Sequence, residues 1–424
     1  MLARHLEGRI LAGLADSPVV FLQGPRQCGK STLVQAIASG RHRARYISLD
    51  DPAQLAAARS DPTGFLAGFD RNVVIDEVQS APELFPVLKR AVDRDRTPGR
   101  FLLTGSANAL VVPEMARALT GRVDLVTLQG LSQGEIAGRR DGFVDWAFSD
   151  ERIPIDLETP RDLPTRVIAG GFPEVIARRT SERRAAWFDS YITTLVQRDV
   201  RDLAQIDMLA SLPTLLRMCA ARVGGLLNFS ELARTVSLSQ TTLKRYFTLL
   251  EAVFLLHRLP AWHANLGKRL VRSPKVFLHD SGLACHLQGV DASSWNDPAT
   301  RRGPLLETFA LGELERQSGW SRLRTTLHHY RSHAGEEVDF VLEDSQGRIV
   351  CVEIKAAATP KSEDVAAMRK LAAELGPRCV RCVLLTTGSG AISYDARVHA
   401  LPISALWSIE APKHGRKSAG TRVE

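Results

Sequence analysis

The sequence has few cysteines and no long apolar run, and each shortage excludes a class of protein. Its 424 residues include six scattered cysteines, too few for a disulfide-stapled secreted domain. Cys379 and Cys382 are the one closely spaced pair, and with no second pair or nearby histidine they do not predict a zinc site. No stretch approaches the roughly 20 apolar residues of a membrane-spanning helix. We therefore expect buried, reduced thiols and no membrane span.

The amino terminus also lacks the apolar run of a secretory signal, because charges stand at Arg4, Glu7 and Arg9. These absences predict a cytoplasmic protein. Lysine and arginine number 55 against 47 acidic residues, and the net charge of +8 is compatible with nucleic-acid binding without requiring it. The length predicts two to four domains, and the ordinary apolar content predicts that most of the chain is folded.

Short apolar segments alternate with helical patterns through the first third of the chain. We predict strands at 18–22, 44–49, 72–75 and 100–104, with a fifth at 125–128, and helices at 32–38 and 81–93. Strands that alternate with helices predict a parallel sheet covered on both faces, which is an α/β fold.

A glycine-rich segment follows the first predicted strand. It fits the pattern G-x-x-x-x-G-K-[ST] at every fixed position and opens a helix, a context that a chance match would lack. Backbone amides of such a loop surround phosphates, Lys30 would reach the β- and γ-phosphates, and the Ser31 hydroxyl would bind Mg²⁺. The sequence therefore predicts an ATP site made of Gly24, Pro25, Arg26, Gln27, Cys28, Gly29, Lys30, Ser31 and Thr32.

Two acids end the third predicted strand, at Asp76 and Glu77. In phosphate-loop enzymes an acid at this point holds the magnesium ion, and a neighbouring glutamate can polarise the attacking water. We assign the first role to Asp76 and the second, catalytic role to Glu77, together with Lys30. The alternative is a solvated strand end that carries acids by composition.

The loop, the two acids and the hydroxyl residues after the fourth strand together resemble the AAA+ superfamily. The resemblance implies that Thr104 or Ser106 senses the γ-phosphate, although a plain turn after the strand explains both residues as well. Arg122 is the candidate for an arginine that stabilises charge on the nucleotide. A surface arginine is the equal alternative, because spacing alone does not locate such residues.

The middle of the chain is helical and rich in arginine from about 170 to 207, where Trp187, Tyr191 and Leu195 recur every four residues. Between 228 and 262 the pattern resembles a winged helix-turn-helix, with an apolar hairpin predicted at 254–262. Its second helix would turn Leu243, Tyr246, Phe247 and Leu250 inward and leave Gln240, Thr242, Lys244, Arg245 and Thr248 outward. That outer face could contact DNA, or the unit could be a lid or protein-contact module.

The carboxyl-terminal third predicts a helix at 305–317 and strands near 338–342, 349–354 and 380–386. Glu353 and Lys355 would share one strand face, Asp339 would lie on the neighbouring strand, and Glu307 would face them from the helix. A helix glutamate, a strand aspartate and a strand E-x-K in this order resemble the PD-(D/E)XK phosphodiesterase core. The resemblance implies that Glu307, Asp339 and Glu353 bind the metal and that Lys355 activates water. The alternatives are an exposed charge ladder and a nuclease fold that contacts DNA or a partner without cleavage. Adjacent His328 and His329 favour solvated strand histidines over a metal site.

The order of these parts resembles one poorly characterised prokaryotic family of AAA+ ATP-binding proteins with a nuclease-like carboxyl-terminal domain. One departure is Val338, where the simplest nuclease pattern has proline. The resemblance rests on residues 24–32, 73–77, 103–106, 131–135, 303–309, 337–341 and 352–355. We predict an AAA+ domain at 1–165, a helical and winged-helix region at 166–290, a nuclease-like domain at 300–412 and a disordered basic tail at 413–424.

The parts together predict an enzyme that hydrolyses ATP with Mg²⁺ and is coupled to a DNA-directed, nuclease-like domain. The alternative is a nucleotide-gated switch whose last domain only docks a protein or DNA partner. The expected partners are DNA, a protein or further copies of the chain, and no membrane.

Overall fold

The computed structural model describes residues 2–69, 71–106, 108, 117, 120–154, 156–197, 211–265, 267, 269 and 272–412. The predicted basic tail at 413–424 and the helical stretch at 198–207 lie outside these residues. Among the described helices, none is both long and apolar enough to cross a membrane.

The first third of the chain forms a five-stranded sheet in which every strand pair is parallel, with the order β2-β3-β4-β1-β5. Each strand lies within two residues of its prediction, and the predicted α/β class is confirmed. The strands are β1 (Val19–Gln23), β2 (Arg45–Ser48), β3 (Val73–Asp76), β4 (Phe101–Gly105) and β5 (Val123–Thr127).

Helices cover both faces of this sheet, because β1, β3 and β4 are mainly apolar, are buried along their whole length and need cover on each side. Two separate apolar cores result, one on each face. The helices of this region are α1 (Glu7–Asp16), α2 (Lys30–Ser39), α3 (Pro52–Ser60), α4 (Pro62–Ala67), α5 (Leu84–Arg94), α6 (Gln133–Ala137) and α7 (Phe143–Ala147), and a 3₁₀ turn spans Val78–Ser80.

The middle region is mainly helical and ends in a two-stranded antiparallel sheet of β6 (Leu256–Leu259) and β7 (Lys275–Leu278). The hairpin predicted within 254–262 is wrong in one respect, because its second strand comes from residues 275–278. The helices are α8 (Leu163–Ala169), α9 (Pro173–Ile176), α10 (Ser181–Leu195), α11 (Leu212–Ala220), α12 (Phe229–Thr235), α13 (Gln240–Ala252) and α14 (Ser281–Gln288).

The last region is a six-stranded mixed sheet in the order β12-β13-β11-β10-β9-β8. The long helix α15 (Arg302–Trp320) precedes it and packs against β10, and α16 (Ala366–Leu375) covers the other face. The remaining elements are β8 (Thr325–Arg331), β9 (Glu337–Asp344), β10 (Ile349–Lys355), β11 (Cys379–Thr386), β12 (Ile392–Ser393), β13 (Val398–Pro402), α17 (Ala405–Ser408) and 3₁₀ turns at Ser362–Val365 and Gly376–Arg378.

One apolar core runs continuously from the middle helices into the last sheet and includes Phe277 of β7 and Phe340 of β9, whose ring centroids are 6.2 Å apart. The middle and last regions are therefore packed as one unit through shared buried side chains. This packing places β7 directly beside the predicted acidic residues of β9.

Candidate nucleotide site and acidic cluster

The phosphate loop joins β1 to α2 and is shaped by two glycines at positive φ, 154° at Gly24 and 96° at Gly29. A Cβ atom at Gly24 would lie 1.9 Å from the carbonyl oxygen of Leu128, so no side chain fits there. Helix α2 begins at Lys30, directly after the loop. The positive end of the helix dipole therefore faces the loop, as phosphate binding requires.

Lys30 is almost fully buried, with 4% of its surface exposed. Its Nζ donates hydrogen bonds of 2.9 Å to the carbonyl oxygens of Gly24 and Pro25. Ser31 is half-buried and Thr32 is exposed at the first turn of α2. A buried ammonium held by the loop itself is positioned to meet phosphate oxygens, so the residues present fit a nucleotide.

Asp76 and Thr104 end neighbouring parallel strands and meet at the carboxyl edge of the sheet. Both are buried, and the Thr104 hydroxyl donates to one carboxylate oxygen of Asp76. The other oxygen accepts a 2.7 Å hydrogen bond from the Tyr46 hydroxyl. Burial, and then this bond to Asp76, raise the pKa of Tyr46 to about 12, so the phenol remains a hydrogen-bond donor.

Glu77 follows Asp76 in the left-handed conformation, with φ of 57°. Its backbone N–H donates to Thr104 Oγ1 at 2.9 Å, and its carboxylate accepts a hydrogen bond from Gln79. Gln79 also donates to Ser106 Oγ at 3.1 Å. Hydrogen bonds thus join the four predicted residues Asp76, Glu77, Thr104 and Ser106 at one edge of the sheet.

A cleft of about 640 Å³ lies over the phosphate loop and is lined on its far side by α9 and α10. Glu77 and the loop residues from Arg26 to Thr32, apart from Cys28, line the near side. The Trp187 and Tyr191 rings of α10 stack 4.8 Å apart, and the Tyr191 hydroxyl donates to the Arg26 carbonyl at 3.4 Å. Aromatic side chains and a phosphate loop across one cleft suit a nucleotide.

Arg178 also lines this cleft, and sequence reasoning did not identify it. Its guanidinium is 2.9 Å from Glu174. The four-residue spacing of Trp187, Tyr191 and Leu195 indicated a helix face, but nothing in the pattern showed that this face would lie over the loop. A cluster of arginines between 178 and 184 was the signal available, and it does not point to one residue.

Arg122, the candidate for an arginine that stabilises charge on the nucleotide, lies away from the phosphate loop of its own chain. It directly precedes β5, at the edge of the sheet opposite the phosphate loop, because β5 runs parallel to β1. Its guanidinium pairs with both carboxylate oxygens of Asp93, at 2.6 and 3.0 Å. The alternative interpretation, a surface arginine, fits this placement.

In the last region, Asp339 and Glu353 lie on adjacent antiparallel strands and are both buried. Glu353 accepts hydrogen bonds from the Asp339 backbone N–H at 3.1 Å and from Lys355 Nζ at 2.8 Å. Glu307 of α15 joins them, and burial, followed by the charge of Asp339, raises its pKa to about 8. The same causes raise the pKa of Glu353 to about 7. The four predicted residues therefore form one cluster, which we call the acidic cluster.

Lys275 of β7 enters the acidic cluster, and no sequence pattern predicted it. Its Nζ lies 3.1 Å from Asp339, 3.6 Å from Glu307 and 3.8 Å from Glu337, and the residue is 3% exposed. Although burial opposes its charge, Asp339 and Glu307 raise the pKa of Lys275 above its ordinary value. The ammonium group of Lys275 is thus close enough to these carboxylates to neutralise their charge.

Gly224 of the middle region covers Glu307 from another side. A Cβ atom at this glycine would lie 2.8 Å from a carboxylate oxygen of Glu307. Together Gly224 and Lys275 place the middle region over the acidic cluster, which excludes the alternative of an exposed charge ladder.

All six cysteines are buried, and none is in a disulfide. Cys351 lies beside the closely spaced Cys379 and Cys382, and the three sulfur atoms lie within 4.8 Å of one another. A register shift of β11 against β10 at Val380 turns Cys379 and Cys382 to the same face. A bulge of this kind is invisible in the spacing, which is why Cys351 was not grouped with them.

Three family models match separate parts of the chain. Residues 16–137 match one described as an AAA domain, and residues 160–294 and 302–406 match domains of unknown function, DUF8612 and DUF4143. Uncharacterized protein Rv2008c of Mycobacterium tuberculosis and uncharacterized protein Mb2031c of Mycobacterium bovis are each 33% identical over 357 residues. That alignment covers 84% of this chain and 74% of each relative. The chain belongs to their family. Its first sheet, with the phosphate loop, is a nucleotide-binding fold of the AAA+ type.

A search of solved structures aligns this chain with a Holliday junction branch migration motor, RuvB of Thermotoga maritima, and with PCH-2 of C. elegans. RuvB is 18% identical with a TM-score of 0.29, and the alignment covers 60% of this chain and 89% of the RuvB chain. PCH-2 is 16% identical with a TM-score of 0.22, and the alignment covers 59% of this chain and 65% of PCH-2. TM-scores this low support no inference about substrate or assembly.

In this family member the helix pair α12–α13 carries the residues predicted to face inward and outward. Leu243, Tyr246, Phe247 and Leu250 are buried, as predicted. Gln240, Lys244, Arg245 and Thr248 are exposed, and Thr242 is half-buried. The Asn228 side chain caps α12 by accepting from the Ser230 and Glu231 amides, whereas the Glu231 carboxylate pairs with Arg222 and does not complete a capping box.

The prediction of solvated histidines on β8 is wrong. His328 and His329 are 9% and 1% exposed, and His329 Nε2 lies 3.2 Å from the Ser273 carbonyl oxygen. Burial, followed by the charge of Lys275, lowers the pKa of His329 to about 4. Contact with the segment before β7 buries this strand, and periodicity within β8 could not reveal that contact.

Proposed function

We propose that the chain binds and hydrolyses ATP with Mg²⁺ at the phosphate loop. The observation that carries the proposal is the meeting of Lys30, Ser31, Glu77 and Thr104 at one edge of the sheet beside a cleft. Mg²⁺, when bound, would neutralise charge on the phosphates, and Ser31 and Asp76 would hold it. Lys30 would exchange its two carbonyl partners for phosphate oxygens, and Glu77 would orient the attacking water.

In this proposal Arg178, rather than Arg122, supplies positive charge from across the cleft. Hydrogen bonds support a route from the nucleotide to the middle region. Ser106 follows Thr104 on the same strand end, and the backbone N–H of Asn108 donates to the carbonyl oxygen of Ala252, at the end of α13, at 2.8 Å. Occupation of the cleft and hydrolysis would therefore shift α10, which lines the cleft, against α13.

The test is steady-state phosphate release by the full chain and by Lys30→Ala. We expect the variant to lose at least about 100-fold in turnover, because the charge that would meet the β- and γ-phosphates is lost. Lys89→Ala, on the exposed face of α5, is the matched control and should turn over like the wild type. Unchanged turnover in Lys30→Ala would reject the proposal.

The second candidate function is nucleic-acid cleavage by the last region. The order α15-β8-β9-β10-α16-β11 and the grouping of Glu307, Asp339, Glu353 and Lys355 support a nuclease-like fold. Against cleavage stands Lys275, which already neutralises the carboxylates that would bind metal. We therefore propose that the last region is a nuclease-like domain that docks a partner and does not cleave in the arrangement described above.

The proposed partner is DNA, which would also contact the middle region, because the exposed face of α13 carries Lys244 and Arg245. Affinity for DNA should fall steeply with salt, since phosphate contacts release counterions. Lys244→Ala combined with Arg245→Ala should weaken binding to every sequence alike. If the affinity for DNA does not change with salt, the proposed partner is a protein instead of DNA. The same follows if the chain binds a protein but no DNA.

A further inference from the structure

His257, His279 and Glu315 meet at the junction of the three regions. His257 lies on β6, His279 directly follows β7, and Glu315 lies on α15. His257 pairs with Phe277 across the hairpin, so His279 is its diagonal neighbour on the same face. One nitrogen or oxygen atom of each residue lies within 4.8 Å of the other two. None of the three was singled out by sequence reasoning.

Most of the imidazole nitrogens in this group have no hydrogen-bond partner among the described residues. His257 Nδ1 lies 3.1 Å from Glu315 Oε1, but His257 Nε2 and both nitrogens of His279 are buried and unpaired. The side chain of His279 is 9% exposed, and its Nδ1 lies 4.0 Å from Glu315 Oε2. Buried polar atoms are normally bonded, so unpaired nitrogens on both histidines beside one carboxylate indicate a missing ligand.

The group borders a cavity of about 560 Å³ that also touches the nucleotide-binding sheet through Gln23, Thr127 and Gln129. Gln129 Nε2 donates to Glu315 Oε2 at 3.2 Å, which fixes the orientation of the carboxylate. A carboxylate held by a second hydrogen bond is typical of residues that bind metal ions. The cavity supplies a route by which a small ion can reach the group.

We propose that His257, His279 and Glu315 bind one divalent transition-metal ion, with zinc the best match. Two imidazole nitrogens and one carboxylate oxygen are a donor set that zinc accepts, and the cavity leaves room for water as a fourth ligand. Ligands at zinc lie about 3.4 Å apart, as follows from zinc–nitrogen bonds of about 2.0–2.1 Å, so small side-chain rotations close the site.

Such an ion joins three regions through one point. His257 and His279 belong to the hairpin beside α13, Glu315 belongs to the helix that carries the acidic cluster, and Gln129 follows the strand next to the phosphate-loop strand. The ion therefore links the nucleotide-binding sheet to the middle and last regions. This role is independent of whether ATP is hydrolysed.

The ordinary alternative is a pair of core histidines. Phe254 packs on the His279 ring with centroids 5.5 Å apart, so a phenylalanine at 279 fits an apolar contact that already exists. His279→Phe removes the nitrogen ligands and removes two orphan polar atoms. Under the alternative, this variant is equally or more stable and nothing else changes.

The experiment titrates the chelator-treated full chain with zinc sulfate alone, and follows heat release and the thermal midpoint. We expect one zinc ion per chain and a higher midpoint with zinc. His279→Phe should weaken zinc binding by at least about 100-fold and abolish the zinc-dependent rise in midpoint. His328→Phe, which also replaces a buried histidine with an unpaired nitrogen, is the matched control and should bind zinc like the wild type.

Cobalt substitution distinguishes this site from Cys351, Cys379 and Cys382 and needs no variant. Nitrogen and oxygen ligands give visible cobalt bands with no thiolate charge-transfer band in the near ultraviolet, which is the spectrum we expect. The proposal is overturned if the wild type binds no zinc, if His279→Phe binds it equally well, or if the thiolate band appears.

Discussion

Two buried lysines distinguish the nucleotide site from the acidic cluster. Lys30 donates to two neutral carbonyl oxygens of its own loop, and it borders an open cleft. Lys275 lies among the carboxylates of Glu307, Glu337 and Asp339, and Gly224 covers that group. The first lysine keeps an unneutralised charge for an incoming anion, whereas the second has already been neutralised. Residue types that suit chemistry therefore do not make a working site unless their charges remain available.

The largest effect is expected when Lys275 is replaced, because this tests whether it neutralises the acidic cluster. Lys275→Met should destabilise the folded chain by about 3–5 kcal/mol, because it leaves the buried carboxylate of Asp339 without its counter-charge. Chemical denaturation at neutral pH measures the change. Lys370→Met, which breaks an exposed pair with Glu336, is the control and should unfold like the wild type. Equal stability of Lys275→Met and wild type would contradict the assigned role of Lys275.

A substitution at Glu77 tests the catalytic role proposed for this residue in the nucleotide site. Glu77→Gln should lower the turnover number for ATP by about 100-fold or more, while ATP binding is retained, because only the orientation of the attacking water is lost. Single-turnover phosphate release and equilibrium binding of labelled ATP separate the two effects. Glu83→Gln, on an exposed turn, should leave both unchanged. Loss of ATP binding in Glu77→Gln would instead assign Glu77 to the binding of the nucleotide.

A further prediction concerns the pH dependence of stability. Burial raises the pKa of Glu307 from 4.5 to about 8, so between these values the folded chain holds a proton that the unfolded chain has released. Stability should therefore fall as pH rises through this range, by at most about 1.4 kcal/mol per pH unit for one such group. Denaturation midpoints from pH 5 to 8 test this. Glu307→Gln should flatten the slope and exposed Glu363→Gln should not; an unchanged slope in Glu307→Gln would remove Glu307 as its source.

The sequence predicted the first sheet well, because each buried strand is a continuous apolar run and the motif at Gly24–Lys30 has fixed chemistry. It also grouped Asp339, Glu353 and Lys355 correctly, since strand periodicity places residues two apart on one face. The role of Lys275 could not be predicted from the sequence, because nothing about a lysine at the start of an apolar strand indicates that its partners lie 32 to 64 residues away. Packing between distant elements likewise decides at which edge of the sheet Arg122 lies. It also decides that α10 lies over the phosphate loop.

The comparison between the two lysines is tested most directly in one reaction that contains the wild-type chain, ATP, Mg²⁺, Mn²⁺ and DNA. Phosphate release and DNA length are followed in the same sample. We expect phosphate to be released and the DNA to remain intact. Cleavage of the DNA that disappears in Asp339→Ala, or an absence of phosphate release, would contradict the account.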